Sequence, residues 1–494
     1  MERATVIWAA GAAAHAGLFL GVALHLFRHR RRADSTLLWL GLTWAVPLAG
    51  AVLYAMFGVD RVPKVRWKRG LARKAGLRHA REGAAGEVLP EAYWRGMGGH
   101  TAVPDGAWAR ELDRILGLLS DGVPLMGGNL VEPLCGGDEA YPKMLEAIAG
   151  AKRQVHLQSF IIGNDRTGRE FLDALAAKAA EGVSVRVLYD RFGSSAALWG
   201  GLFRRYRGVK GMELAGWTQA NLFRKQLQFN LRNHRKTLVV DGRVGFTGGL
   251  NLSDESRGGA GREPIRDYHF RVRGPVVQQL QYGFLRDWHV MTGAPAEGLL
   301  TAENFPRPER AGEDRARVAL SGPSSSVNRA ADLFFAAVCA ARKRVRVVTP
   351  YFLPTDDLVR ALRMAALRGV SVELTLPARA NHGYVTWAGR ALWEDLLEAG
   401  VRIWARRAPF IHAKAMTVDG ELSVVGSANW DLRSLQSNFE TCLAVYGGRF
   451  ASGLQRLMGE ETAMADEIRL ERFKKRPLRE RYLENVCGLL GPLL

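Results

Sequence analysis

Histidine, lysine and asparagine recur in this chain twice at one fixed spacing. The first copy reads His234-Arg235-Lys236, then Asp241, then Gly248-Gly249-Leu250-Asn251. The second reads His412-Ala413-Lys414, then Asp419, then Gly426-Ser427-Ala428-Asn429. Every fixed position of the second copy lies 178 residues beyond its counterpart, as 412 lies beyond 234. A pattern this long, repeated without a gap in a chain with 11 His, points to duplication. Two half-sites, each with an imidazole able to act as a nucleophile, imply one composite site.

The residue types narrow the chemistry. On a strand, positions i and i+2 face the same way, so His234 and Lys236 share a face, as do His412 and Lys414. Asp241-Gly242 and Asp419-Gly420 sit between apolar strand runs and are hairpin-turn signals. This places each motif Asp at a turn, with a structural job. The glycines at 248, 249 and 426 let backbone approach a ligand closely, and Asn251 and Asn429 offer amide donors to it. Two imidazoles, two ammonium groups and two amides suit a phosphodiester, whose oxygens need cationic and N–H donors where charge builds. One His can attack phosphorus while the other protonates the leaving oxygen, and the roles reverse for the acceptor. No acidic cluster in either motif suits a divalent metal, and a phosphohistidine route calls for no cofactor. Each His also needs an acceptor on its other ring nitrogen. Candidates lie downstream of each motif: Asp267 in Arg266-Asp267-Tyr268-His269, and Glu440 in Asn438-Phe439-Glu440.

The elements that must carry these residues alternate between strand and helix. In the first half, Tyr141–Ala151 reads as a helix, Val155–Ile162 as a strand, Phe171–Glu181 as a helix stopped by Gly182, and Val183–Asp190 as a strand. The second half repeats this with Ala331–Arg342, Val345–Phe352, Leu358–Leu367 and Val370–Leu376. The fold class is therefore α/β, with two similar domains related by a pseudo-two-fold axis. Between strand and motif the first half carries an insertion, roughly 196–230, with Trp199, Phe203, Arg204, Arg205, Tyr206, Arg207, Lys210, Trp217, Phe223, Arg224 and Lys225. It reads either as a solvated loop or as a surface laid on anionic headgroups.

Bulk properties agree with a polyanionic partner. The net charge is +20 over 494 residues, which favours nucleic acid or an anionic membrane. Four scattered Cys (135, 339, 442, 487) show no metal-like spacing and read as reduced thiols. Residues 5–27 and 37–59 are apolar runs, each long enough to span a bilayer. Together they favour the membrane over nucleic acid. Arg28, Arg30, Arg31 and Arg32 join the runs, and nine basic residues follow by position 81. The heavier flank puts the large C-terminal part in the cytoplasm, although the basic connector pulls the other way. The last segment, 469–494, is basic and then apolar, and reads either as a membrane-surface helix or as a helix packed on the domain.

These motifs resemble the phospholipase D superfamily, whose HKD signature appears here twice. The chain as a whole is similar to the bacterial cardiolipin synthases of the two-HKD type. The likeness runs from "GAVLYAMFG" through "NHRKTLVVDGRVGFTGGLN" and "RDYHFRVRGPVV" to "HAKAMTVDGELSVVGSANWDLRSLQSNFE" and "RPLRERYLENVCGLLGPLL". It implies phosphatidyl transfer between two phosphatidylglycerols, giving cardiolipin and glycerol, with His234 as nucleophile and His412 as acid and base. The alternatives are a hydrolysing phospholipase D or another phosphatidyltransferase, since the covalent intermediate would be the same. The expected organisation is a transmembrane hairpin (1–60), a basic connector (61–130), two phospholipase D-like α/β domains (131–300 and 301–468) and a basic C-terminal segment (469–494). Such a protein would sit in the bacterial inner membrane as a multi-pass enzyme with anionic lipids as partners.

Overall fold

The computed structural model describes residues 2–28, 33–58, 98–120, 123–217, 219–221, 226–228, 232–258, 263–322 and 329–489. Phe223, Arg224, Lys225 and most of the basic connector lie outside the described residues. The chain divides into two compact units, Met1–Pro63 with Thr218–Leu231, and Lys64–Trp217 with Arg232–Leu494.

In the first unit, α1 (Glu2–Arg28) is a single helix of 27 residues. Its stretch Thr5–Arg28 is the one described helix long and apolar enough to cross a membrane. The second apolar run differs from the expected span. It forms α2 (Ala33–Ala45) and a short α3 (Ala49–Leu53), followed by a π-turn over Tyr54–Gly58. The break falls at Pro47, which has no N–H to continue the ladder. Leu48 then takes φ 60°. A Cβ on Gly50 would stand 2.5 Å from the Leu42 carbonyl oxygen, so only glycine lets the chain double back this tightly. Val22, Leu26, Trp39, Ala51 and Tyr54 form a small core, and His25 Nδ1 lies 2.7 Å from the Tyr54 hydroxyl.

The second unit is built on a 15-stranded sheet. Its first half supplies β1 (Met126–Cys135), β2 (Gln154–Ser159), β3 (Ser184–Asp190), β4 (Met212–Trp217), β5 (Thr237–Val240), β6 (Val244–Gly248) and β7 (Tyr268–Arg273). The second supplies β8 (Asp314–Ser321), β9 (Arg344–Val348), β10 (Ser371–Pro377), β11 (Arg402–Arg406), β12 (Ala415–Val418), β13 (Leu422–Gly426), β14 (Glu440–Tyr446) and β15 (Ala465–Ile468). The order is β15-β11-β10-β9-β12-β13-β14-β8-β1-β7-β6-β5-β2-β3-β4. Apart from the extra edge strand β15, the two halves repeat one topology about the antiparallel β1–β8 pair, where Met126 faces Ala316. The strands read as near-continuous apolar runs because helices cover them.

Those helices follow the same duplication. After α4 (Ala107–Leu119), the first half has α5 (Gly136–Ala149), α6 (Arg166–Ala180) and α7 (Val277–Thr292). The second has α8 (Arg329–Ala340), α9 (Asp356–Leu367), α10 (Gly383–Arg390), α11 (Leu432–Gln436) and α12 (Gly448–Ala463), and α13 (Leu478–Leu489) closes the described chain. The α6 and α9 helices both stop at a glycine with positive φ, Gly182 at 92° and Gly369 at 88°, the left-handed C-cap that favours glycine. The connector helix α4 packs Leu112 and Leu116 into the second-half core, and its Trp108 Nε1 donates to the Ala340 carbonyl at 2.7 Å.

Candidate active site

Both motifs begin just before a central hairpin of the sheet, β5–β6 in the first half and β12–β13 in the second. Each motif Asp stands at the hairpin turn, at the far end of the strand from its His. Asp241 and Asp419 adopt φ 50° and 55°, each followed by a positive-φ glycine, the backbone that a two-residue Asp-Gly hairpin requires. The Asp241 carboxylate accepts the backbone N–H groups of Lys152, Arg153 and Gln154 at 2.8–2.9 Å. Asp419 accepts those of Arg342, Lys343 and Arg344 at 2.8 Å. The two carboxylates pin the segment that leads into β2 and β9. They hold the sheet and touch neither imidazole.

The His–carboxylate pairs are crossed between the halves. Phe439 N donates to the Arg232 carbonyl at 2.9 Å, and His234 N returns to the Phe439 carbonyl at 3.0 Å. This backbone clamp delivers Glu440, from the second half, to the first-half imidazole. His234 Nδ1 lies 2.9 and 3.0 Å from the two Glu440 oxygens. The mirror clamp joins Arg266 to Phe410 and His412, with His412 N donating to the Arg266 carbonyl at 2.7 Å. It sets Asp267 Oδ2 2.6 Å from His412 Nδ1. With both Nδ1 atoms committed, Nε2 is the nitrogen each ring has left for chemistry.

Glu440 is fully buried and well satisfied. Besides His234 it accepts the hydroxyls of Ser427 at 2.5 Å and Ser434 at 2.8 Å. Burial alone would raise its pKa, but His234, Lys236 and Ser427 hold it below the usual carboxylate value. Asp267 is held low in the same way by Lys414 and His412 against its burial. Burial lowers both histidines, to about 4 at His412, where Lys414 adds to the effect and Asp267 opposes it. The two lysines are buried behind their histidines, and Lys236 Nζ donates to the His234 carbonyl at 2.8 Å. Burial lowers Lys236 to about 7 and Lys414 to about 8. Asn251 and Asn429 each hold a buried side-chain oxygen without a partner.

The glycines serve a purpose the motif does not announce. A Cβ at Gly248 would stand 2.6 Å from the Tyr268 carbonyl oxygen, and one at Gly426 2.1 Å from that of Thr441. At Gly249 it would lie 2.1 Å from Asp267 Oδ1. These positions are bare to admit the neighbouring strand and the orienting carboxylate, where a close approach to ligand was expected.

Sequence reasoning missed three polar side chains here. Ser427 and Ser434 hold Glu440, and the variable motif position Arg235 is a buried arginine paired with Asp287. Its Nη2 donates to the Ser321 carbonyl at 2.8 Å and its Nε to the Glu440 carbonyl at 3.0 Å. The second half has Ala413 at this position, so the repeat itself gave no signal. The insertion also differs from expectation. Phe203, Tyr206 and Trp217 are buried, and of its described aromatic rings only Trp199 points to solvent, at 84 % exposure.

Three comparisons set the chain beside known proteins. The family model described as cardiolipin synthase, PLD-like domain matches residues 144–288 and 335–461, and the phospholipase D-nuclease N-terminal model matches 17–58. A cardiolipin synthase of Geobacillus kaustophilus is 34 % identical over 96 % of this chain and 91 % of its own. One from Alkalihalophilus pseudofirmus is 33 % identical over 97 % of this chain and 92 % of its own. Among solved structures, the phosphatidylserine synthase of Haemophilus influenzae superposes with a TM-score of 0.61 at 13 % identity, over 77 % of this chain and 99 % of its own. That likeness shows the fold.

Proposed function

The chain belongs to the cardiolipin synthase family, and we propose that it moves a phosphatidyl group from one phosphatidylglycerol to another. The observation that carries this reading is the crossed pair, His234 with Glu440 and His412 with Asp267, which leaves two Nε2 atoms for one phosphodiester. His234 Nε2 attacks the donor phosphorus. The P–O bond to the headgroup glycerol breaks, and His412 gives that oxygen its proton. A bound phosphate anion raises the His412 pKa from its low resting value and so favours the protonated form. Glu440 steadies the positive charge on His234 as the P–N bond forms. Lys236 and Lys414 neutralise the phosphoryl oxygens, and the Asn251 and Asn429 amides donate hydrogen bonds to them. In the second step His412 takes the proton of the incoming hydroxyl, that oxygen attacks phosphorus, and the P–N bond breaks. The products are cardiolipin and glycerol.

We place residues 1–60 as a two-helix membrane hairpin, with both α/β halves on the cytoplasmic side of the inner membrane. The length of α1 and the basic flank after the second run support this. Exposed Cys339 reports the side directly, since labelling by an impermeant maleimide in intact spheroplasts would reverse the orientation.

The test of the reaction is the purified full chain in phosphatidylglycerol liposomes, with mass analysis of the products. Cardiolipin and glycerol should appear in equal amounts. Phosphatidic acid as the main product would make the protein a hydrolase. Adding phosphatidylethanolamine tests whether another headgroup can serve as donor.

A further inference from the structure

Helix α13 is packed the wrong way out for a helix of a water-soluble surface. Its inward face is polar and small. Glu484 is buried and accepts from Arg390 Nε at 2.8 Å and Arg476 Nε at 2.8 Å. Glu480 accepts from Arg390 Nη2 at 2.8 Å. A Cβ on Gly488 would rest 3.6 Å from Ala391 Cβ, so the helix sits close against the end of α10. Positions 480, 484, 487 and 488 thus make the docked face, at the i, i+4, i+7, i+8 spacing of one helix side.

The opposite side carries the apolar residues. Leu478 is 68 % exposed, Tyr482 70 %, Val486 56 % and Leu489 75 %. Their spacing of i, i+4, i+8 and i+11 makes one continuous stripe. Arg479 and Arg481, both exposed, lie on either flank of it at 100° per residue. An apolar stripe edged by arginines is the pattern of a helix lying in a membrane interface, with rings and aliphatic groups among acyl chains and guanidinium groups on phosphates.

We propose that the outer face of α13 docks on the anionic membrane surface and holds the His412 side of the catalytic site towards the bilayer. Charge sets the occupant: exposed Arg479 and Arg481 flank the stripe, and exposed Arg472 and Lys475 precede it in the chain, whose net charge is +20. Continuity with the site points the same way. The α10 helix, on which α13 rests, begins beside His382 and carries exposed Tyr384. The His382 ring lies 6.0 Å from that of Tyr351, and Tyr351 lies 6.2 Å from His412. A docked α13 therefore brings the His412 side of the site to the lipids it must draw on.

The inference goes beyond the transfer reaction, and its first readout does not need turnover. In full-length protein with Cys135, Cys339 and Cys487 replaced by Ser, a fluorophore on Val486→Cys is followed in phosphatidylglycerol vesicles. Nitroxides on the lipid acyl chains should quench it, and iodide in the water should not. Quenching by iodide alone, as on a face covered by protein or left in solvent, overturns the proposal. The second readout is a chain with Leu478, Tyr482, Val486 and Leu489 all changed to Gln. Its turnover of phosphatidylglycerol in bilayers should fall about tenfold or more. Turnover of short-chain phosphatidylglycerol dispersed as monomers should stay unchanged. Equal loss on both substrates, or loss on neither, overturns it. Wild-type protein that makes no cardiolipin at all would sink the transfer reading and leave the quenching result standing.

Discussion

His234 and Glu440 are 206 residues apart in the chain and 2.9 Å apart in space. The carboxylate that orients the first-half imidazole belongs to the second half, and Asp267 repays the relation to His412 at 2.6 Å. Neither half holds a complete His–carboxylate pair. Duplication alone would have produced two independent sites, whereas the crossed pairs bind the halves into one. Replacing Glu440 with Gln keeps the shape and the contacts to Ser427 and Ser434 but removes the charge that favours an imidazolium. Activity should fall by roughly 10²–10⁴, as in hydrolase triads stripped of their acid. Asp267→Asn should fall comparably through His412. A loss under tenfold in both would remove the carboxylates from the mechanism.

The two histidines are separable by trapping. With labelled phosphatidylglycerol quenched during turnover, phosphate should be found on wild-type protein in an acid-labile bond. His234→Ala should abolish both the label and the turnover. In His412→Ala the label should form slowly, because the nucleophile is intact and only the proton donor is missing. Label on the His234→Ala protein would reassign the nucleophile.

Asp241 and Asp419 invite a different expectation, although both belong to the signature. Each accepts three backbone N–H groups at a strand entrance. Substitution by Ala hands these largely exposed donors to water and loses the net hydrogen-bond contribution, about 0.5–1.5 kcal/mol each. Asp241→Ala and Asp419→Ala should lower the melting temperature, while protein still folded at low temperature keeps most of its kcat. Full stability with lost kcat would give the Asp a chemical role.

How much of this was legible follows from what a repeat can carry. The duplicated α/β halves, the Asp-Gly turns and the two copies of the His-x-Lys spacing stand in the sequence because local patterning and spacing encode them. The crossing does not, because Asp267 and Glu440 follow their own motifs in the chain and only the clamps at Arg232–Phe439 and Arg266–Phe410 send each to the other half. Arg235 and its partner Asp287 were invisible because the second copy has Ala413 at the matching position, so the repeat gave no signal. The glycines were read as room for ligand because a sequence shows only a missing side chain, not the strand that fills the space. At Pro47 a hydropathy run hid a backbone break, since apolarity says nothing about N–H donors.

The lysines set a pH limit on binding. Burial lowers Lys236 to about 7 and Lys414 to about 8 from the ordinary lysine value of 10.5. A lysine is cationic below its pKa, so the empty site loses its positive charge as pH rises through this range. The kcat/KM for phosphatidylglycerol, which reports the free enzyme, should fall above about pH 8. The kcat should stay flatter, because a bound phosphate anion restores the ammonium form. Folding stability moves the opposite way. Between about 7 and 10.5 the unfolded chain binds more protons at these two positions, so their contribution to stability rises with pH across that window. A kcat/KM flat from pH 6 to 9 would contradict the lysine assignment.

The signature position that accepts Gly or Ser differs between the copies, and the difference has a cause. Ser427 donates to Glu440 at 2.5 Å and accepts from Thr441 N at 3.0 Å. Its counterpart Gly249 has no room for the same residue, because a Cβ would lie 2.1 Å from Asp267 Oδ1. Gly249 and Ser427 are therefore not interchangeable, although either satisfies the signature. Ser427→Gly removes one hydrogen bond to a charged group, about 1.5–3 kcal/mol, and leaves Glu440 with Ser434 and His234. It should lower stability and slow turnover modestly. Gly249→Ser must displace Asp267, which pulls its oxygen from His412 and disturbs the acid and base of both steps. Turnover should fall by roughly 10² or more, with the KM for phosphatidylglycerol little changed because Lys236 and Lys414 remain. The measurement is steady-state kinetics of both variants in the same vesicles. If Gly249→Ser retains turnover equal to Ser427→Gly, the carboxylate at Asp267 is not held as tightly as the site's geometry requires.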